Sequence, residues 1–458
     1  MSKPAIAQSV LDLIGNTPMV RLSRYFSGAK CEVLGKCDFM NPAGSVKDRI
    51  GFAMIDAAER EGKLRPGGTI VEATAGNTGL GLCLAAAIKG YSVVCCTPDK
   101  MSQEKINLMR AFGARVIVVP TVPKNDPNSY INTAKRVAAE TPNGYYIGQF
   151  QNPANELAHY QSTGKEIWEQ TDGKVSVFVA SAGTTGTIGG VSRFLKEKNP
   201  RIRVVLGDPQ GSLYAHWCRH KNLDAPSAPY KVEGIGNDYL PSIAYFSRID
   251  AAFTIPDRES FNAARRLARV EGLFCGGSTG TNLVAATRYI RENDLSERDV
   301  VVVFLCDTGE RYLSKVFNDA WMRENQFLGD VRATTASELI FEKHANGRPL
   351  VVANPETPVA EVFGKLKQLD ISQVPVISKG QIVGAVTESK ILDLLLAGAD
   401  ISRMTVADVM GDPLRVVDPS ATAKDMLAVM QNAQQDGVIV RDGDEFEILT
   451  KFDLLRAL

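Results

Sequence analysis

The sequence predicts an α/β protein: a mainly parallel sheet system over roughly the first 320 residues, then a smaller unit repeated in tandem. Two observations predict the first part. Short apolar runs at residues 93–96, 116–119, 175–179 and 301–305 have strand length and β-branched content. Amphipathic stretches at 102–112 and 132–140 lie between them. Strands alternating with helices need crossover connections, which give parallel sheets covered on both faces. In such folds ligands gather at the carboxyl ends of the strands, so the chemistry is expected in the loops there.

A third observation predicts the second part. From Asn354-Pro355 the chain runs through an amphipathic helix, Val374-Pro375-Val376-Ile377, a turn at Lys379-Gly380, a run ending at Thr387, and an apolar helix. From Asp418-Pro419 it repeats that course through Gly437-Val438-Ile439-Val440, a turn at Asp442-Gly443, Glu447-Ile448-Leu449-Thr450 and a last helix. Thr387 and Thr450 hold equivalent places, as do Leu392 and Leu455. A fixed period means two copies of one supersecondary unit. Their β-α-β-β-α order and the Thr closing the last strand resemble a CBS-domain pair, or Bateman module. The expected boundaries are 1–322 for the first region, a linker at 323–335, and repeats at 336–398 and 399–458.

Composition narrows the function. At 458 residues the chain is long for one core. Lys+Arg and Asp+Glu number 52 each, which removes the electrostatic case for nucleic acid or an acidic membrane. The opening Met1-Ser2-Lys3-Pro4-Ala5 lacks a signal-peptide core and no stretch is long enough to span a bilayer, so a cytoplasmic enzyme is expected. The eight cysteines form no C-x-x-C pair and only four His accompany them, which argues against a metal site.

Four motifs carry chemistry. Asn41-Pro42-Ala43-Gly44-Ser45-Val46-Lys47 is a turn that puts Lys47 at a helix start, where the dipole disfavours its charge and a lowered pKa suits a Schiff base. Thr74-Ala75-Gly76-Asn77-Thr78 follows an apolar strand and opens an apolar helix, an arrangement whose free N–H groups suit a carboxylate. Gly183-Thr184-Thr185-Gly186-Thr187 follows the run at 175–179 and suits a phosphate. It is neither a Walker A loop nor G-x-G-x-x-G, so a single-phosphate cofactor fits better than a nucleotide. Cys275-Gly276-Gly277-Ser278 is a further turn before a helix, and Glu233-Gly234-Ile235-Gly236 a flexible segment.

In this order the motifs resemble the fold-type II pyridoxal phosphate enzymes (tryptophan synthase β-like), and among them the cystathionine β-synthase family, over nearly all of residues 10–320. Leu13-Ile14-Gly15-Asn16-Thr17-Pro18 and Glu271-Gly272-Leu273-Phe274 belong to the same likeness. The resemblance implies that Lys47 anchors the cofactor, Asn77 bonds its 3'-oxygen, Gly183, Thr184, Thr185, Gly186 and Thr187 hold its phosphate, and Ser278 meets its pyridine nitrogen. It places the amino acid carboxylate on Thr74, Ala75, Gly76, Asn77, Thr78 and Gln149, with Tyr160 and Gly234 near the substrates. A homodimer or homotetramer is implied.

The implied reaction condenses L-serine with L-homocysteine to L-cystathionine and water, with hydrogen sulfide production as a side activity. Lys47, freed by the substrate amine, takes the Cα proton. Ser278, being neutral, makes the ring a weaker electron sink and so favours loss of the β-hydroxyl. The rivals are a cysteine synthase using O-acetylserine and sulfide, and a nucleotide-sensing protein with a lapsed catalytic half. Too few residues precede the first motif for the haem extension of animal relatives, so no haem is expected. Ala75 stands where many relatives have Ser, and Asn237 where animal relatives have Tyr. In the repeats, Thr450 and Asp453 keep a Thr-x-x-Asp pattern suited to the ribose of S-adenosylmethionine or another adenosyl ligand, whereas Lys390 replaces the Asp in the first copy.

Overall fold

The structure, a computed structural model, describes residues 6–123, 125–328, 334–344, 350–369, 371–442 and 445–456. Residues 329–333 of the expected linker, and Gly443 of the second repeat's turn, lie outside them. The chain divides into two compact units, Met1–Leu328 and Gly329–Leu458.

Among the described residues, ten strands build the first unit: β1 (Met19–Arg21), β2 (Glu32–Cys37), β3 (Thr69–Ala73), β4 (Ser92–Pro98), β5 (Arg115–Val119), β6 (Gly144–Tyr146), β7 (Val175–Ser181), β8 (Arg203–Pro209), β9 (Ala251–Ile255) and β10 (Val300–Leu305). They form two sheets, ordered β1-β2-β10-β7-β8-β9 and β5-β4-β3-β6. Every pairing is parallel except β1 with β2. The chain leaves the larger sheet after β2, builds the smaller one, and returns at β7. The unbroken apolar run of β10 follows from burial on both faces: Val301, Val303 and Leu305 enter one core, and Val300, Val302 and Phe304 the opposite one.

Two helices fix the geometry between the sheets. Lys47–Arg60 crosses Asn77–Lys89 where each has a glycine. A Cβ on Gly81 would lie 2.4 Å from the Lys47 carbonyl oxygen, and one on Gly51 would lie 2.3 Å from the Gly81 carbonyl carbon. Only bare backbone lets the axes come this close, and the contact brings the helix start of Asn77 beside that of Lys47.

The first unit continues past the expected boundary at 322. Helix Asp319–Glu324 is followed by Phe327 and Leu328, which pack with Val232, Ile235 and Phe261.

In the second unit each repeat pairs a hairpin with one short parallel element. In the first copy β11 (Gln373–Ser378) and β12 (Gln381–Thr387) are antiparallel and Ala353 bridges Val376. In the second, β14 (Gly437–Asp442) and β15 (Glu445–Thr450) are antiparallel, and β13 (Val416–Val417) runs parallel to β14. The copies exchange their leading helices. Ala336 and Leu339, of helix Ala336–His344 ahead of the first copy, pack in the second copy's core with Met426 and Met430. Val406 and Val409, ahead of the second copy, pack with Val359 and Val362 in the first. The expected division at 336 and 399 therefore follows the repeat in sequence but not in packing.

Candidate active site

Three of the four chemistry-bearing motifs leave the carboxyl ends of strands, and the fourth, Cys275–Ser278, follows helix Asp257–Glu271 and opens helix Gly277–Glu292. β2 leads to the Lys47 turn, β3 to Thr74–Thr78, β7 to the Gly/Thr loop, and β10 to Cys306 and Asp307. They line a cavity of about 780 Å³. Lys47, Thr74, Ala75, Gly76, Asn77, Thr78, Gln149, Gly183, Thr184, Thr185, Thr187, Gly234 and Ser278 all lie in its wall. Gly186 stands behind it as the first residue of helix Gly186–Lys198.

Lys47 is the first residue of its helix, and its N–H donates to Ser45 Oγ (3.2 Å). Burial pushes its pKa below the ordinary lysine value, while Cys306, Asp307 and Asp38 pull it back up. The helix is anchored by Arg49, whose guanidinium donates to Asp38 Oδ1 (2.7 Å) and to Glu166 Oε1 (2.6 Å). Lys36 completes the cluster through Glu166 (2.6 Å), and Asn16 N and Gly15 N donate to Glu166 and Asn41. The opening Gly15-Asn16-Thr17 motif is therefore structural: it braces the Lys47 turn.

The Thr74–Thr78 turn is held by its own hydroxyls. Thr74 Oγ1 accepts from Gly76 N (3.0 Å) and Gly79 N (3.2 Å). Thr78 Oγ1 donates to Gln149 Oε1 (2.6 Å), and Gln149 Nε2 donates to the Ala73 carbonyl (2.8 Å). Glu72, at the end of β3, accepts from Gly148 N (2.7 Å), and burial raises its pKa to about 8.

The Gly/Thr loop is strained and braced. Thr185 adopts φ 72°, a left-handed conformation rare for a β-branched residue and costing about 1–3 kcal/mol. It is compensated by Thr185 Oγ1 donating to the Ile243 carbonyl (3.0 Å), Asn155 Nδ2 donating to Thr184 Oγ1 (3.0 Å), and Tyr214 OH donating to the Gly183 carbonyl (2.7 Å). The leading N–H groups of helix Gly186–Lys198 have no partner within the helix, which is the arrangement that binds a phosphate.

These residues fit pyridoxal phosphate. Asn77 Oδ1 is buried and bonds nothing among the described residues, although Asn77 lines the cavity. An orphaned acceptor beside a depressed lysine and an anion-binding helix start suits a polar aromatic phosphate.

Tyr160 is a correction. It is absent from the cavity wall; its hydroxyl donates to Glu197 (2.7 Å) and its ring packs against Phe194 and the Arg193 guanidinium. Its neighbour His159 is the inward residue, because adjacent residues on a helical turn point in different directions. His159 is fully buried, and its Nε2 lies 3.2 Å from Thr187 Oγ1. Burial holds it neutral, with its pKa pushed down to about 3. Sequence reasoning also missed Cys306, which lines the cavity and whose thiol is pushed up to about 11 by burial and Asp307. Thr450 and Asp453 belong to the second unit, where Asp453 accepts from Thr450 N and Oγ1 (2.8 Å each) and from Lys343 Nζ (3.4 Å).

Among the described residues no group of three His, Cys, Asp or Glu is placed to hold a metal, and no helix is long and apolar enough to cross a membrane.

The family model for pyridoxal-phosphate dependent enzymes matches residues 10–307, and the CBS domain model matches 345–397 and 406–458. Cystathionine beta-synthase of Dictyostelium discoideum is 37% identical over 100% of this chain and 93% of its own length. Cysteine synthase 1 of Neurospora crassa is 40% identical but over 71% of this chain and 87% of its own. Among solved structures, the O-acetylserine dependent cystathionine beta-synthase from Helicobacter pylori matches at TM-score 0.62 and 35% identity, over 68% of this chain and 99% of its own. The chain thus belongs to the pyridoxal-phosphate dependent enzymes, and within them to the cystathionine beta-synthase family.

Proposed function

We propose that this chain condenses L-serine with L-homocysteine to L-cystathionine and water, with pyridoxal phosphate held on Lys47. The observation that carries this reading is one cavity lined by Lys47, the Thr74–Thr78 turn, the Gly/Thr loop and Ser278. Bound pyridoxal phosphate supplies an electron sink for charge left on the substrate when its Cα proton departs. The rest is the chain's own work. Lys47, desolvated and so readily neutral, is placed to take that proton and return it. The Thr74–Thr78 turn and Gln149 bind and orient the amino acid carboxylate. Gly183 to Thr187 anchor the phosphate, with His159 bracing Thr187. Ser278 meets the pyridine nitrogen with a neutral hydroxyl.

A second reading replaces serine with O-acetylserine, favoured by the neighbour from Helicobacter pylori, whose name states that dependence. Initial rates with serine plus homocysteine, O-acetylserine plus homocysteine, and O-acetylserine plus sulfide separate the readings. The highest kcat/KM is expected for the first pair. Fast turnover of O-acetylserine with none of serine would overturn it. A visible absorption band abolished by borohydride is expected and would exclude a lapsed catalytic half.

The adenosyl reading of the repeat pair rests on Thr450 and Asp453. Asp453 engages Thr450 and Lys343 through Oδ2, so a ribose hydroxyl would be received by Oδ1. Calorimetric titration with S-adenosylmethionine, with activity recorded in parallel, tests it. A homodimer or homotetramer is the assembly proposed, and light scattering of the full chain tests that.

A further inference from the structure

Asn77 is held from behind by two residues that the reaction does not touch. Its Nδ2 donates to Asp307 Oδ2 (2.7 Å), and the same oxygen accepts the Tyr312 hydroxyl (2.5 Å). Asp307 is 1% exposed and Tyr312 is 3% exposed. Beyond Tyr312, Lys105 Nζ donates to the tyrosine oxygen (3.0 Å) and to Glu233 Oε2 (2.8 Å). Lys315 donates to the other oxygen of Glu233 (2.8 Å).

The direction of this chain of bonds is forced. An ammonium has only hydrogens to give, so the Tyr312 oxygen accepts from Lys105 and its single hydrogen goes to Asp307. A carboxylate oxygen has only lone pairs to offer, so Asp307 Oδ2 accepts from Asn77 as well as from the tyrosine; Asn77 turns its amide nitrogen toward it, and its Oδ1 points elsewhere. Oδ1 is the buried atom left without a partner among the described residues. Space for the arrangement comes from Gly276, just ahead of the Ser278 helix. A Cβ there would lie 2.4 Å from both Asp307 Oδ1 and Tyr312 Cε2.

We propose that Tyr312 and Asp307 are positioning residues that fix the amide orientation of Asn77 and thereby the contact it makes with the 3'-oxygen of pyridoxal phosphate. Through Lys105 the same bonds tie that contact to the Glu233-Gly234-Ile235-Gly236 segment. The inference rests on the assignment of pyridoxal phosphate to this cavity. The test uses full-length wild type, Y312F, D307N and N77A, each loaded with pyridoxal phosphate. For each, the visible absorption maximum, its pH midpoint and cofactor retention on dialysis are recorded. Y312F keeps the ring and removes one hydroxyl. It is expected to shift the band and its pH midpoint in the same direction as N77A and to weaken retention about fivefold, the effect of one lost hydrogen bond. D307N, which replaces the charged shared acceptor with a neutral amide that can also turn a donor toward Asn77, is expected to shift them further. Wild-type values of band, midpoint and retention in both Y312F and D307N, with N77A moved, would overturn the inference. A wild type that forms no visible band would instead sink the cofactor assignment on which it rests.

Discussion

The two units handle charge in opposite ways. The catalytic unit buries Lys36, Asp38, Arg49, Lys105, Glu233 and Asp307 in ion pairs and hydrogen bonds, with Lys105 and Glu233 in the cavity wall itself. In the repeat unit the only buried polar side chain among the described residues is Gln373, and charged groups work at helix ends. Thr335 with Glu338, Thr405 with Asp408, Thr422 with Asp425 and Thr450 with Asp453 each exchange bonds at the start of a helix. Leu392, Leu396, Phe452 and Leu455 are meanwhile more than half exposed. Buried charge is costly and tolerates no missing partner, but it fixes geometry. Caps are local, and each contributes about 1 kcal/mol. One unit is organised around a reactive centre and the other around short, individually capped helices packed on apolar cores.

Perturbing the buried charges should therefore do far more damage than perturbing the caps. Lys47→Ala is the largest case: it removes the proposed cofactor anchor and the proposed base together, and kcat for serine plus homocysteine should fall by at least about a thousandfold. Thermal unfolding of the repeat unit should not change. Next comes Arg49→Met, which strands Asp38 without its ion-pair partner and leaves Glu166 to Lys36 alone. It should destabilise the catalytic unit by about 3–5 kcal/mol in urea, because breaking a buried pair leaves an uncompensated charge. A loss below about 1 kcal/mol would mean that the cluster behaves like a surface pair.

The third test is pH. His159 is neutral in the folded chain, its pKa pushed down to about 3 by burial, whereas an unfolded histidine titrates near 6.5. Between those values the unfolded chain binds the extra proton. This contribution is complete above about pH 6.5 and is lost as pH falls, by up to about 1.4 kcal/mol per unit. Glu72, with its pKa raised to about 8 by burial, contributes the opposite slope above its ordinary value near 4.3, so the test is a difference: urea midpoints of wild type and His159→Gln, measured at several pH values, should diverge in favour of the wild type as pH rises towards 6.5.

The division between the units also explains what could be read in advance. Parallel strands buried on both faces leave apolar runs, and loops that bind anions must carry Gly and Thr at helix starts, so β7, β10 and the Lys47, Asn77 and phosphate motifs were visible in the sequence. Direction was not. His159 and Tyr160 are adjacent, and nothing in Ala158-His159-Tyr160-Gln161 says which faces inward until the helix is packed. Partners distant in sequence were hidden too: Asp307 meets Asn77 and Lys105 meets Tyr312 only because β10 is inserted beside β2 and β7. The exchanged helices of the repeats are a third such case, since their packing is set between copies rather than within one.

Thr450-x-x-Asp453 carries the smallest and most discriminating prediction. The pattern suits a ribose, yet the same Thr-x-x-acid spacing recurs at Thr335, Thr405 and Thr422, where it is a helix cap. At Thr450 it is a cap as well, with the Asp453 N–H donating to Thr450 Oγ1. Thr422→Ala and Thr450→Ala should then cost the repeat unit comparable amounts, about 1 kcal/mol each, without changing kcat. Adding S-adenosylmethionine separates the roles. Ligand binding raises the melting temperature of whatever it binds, so an adenosyl site at Thr450 predicts that this rise persists in Thr422→Ala and disappears in Thr450→Ala. An equal rise in both variants would leave Thr450 a cap alone and move the ligand elsewhere.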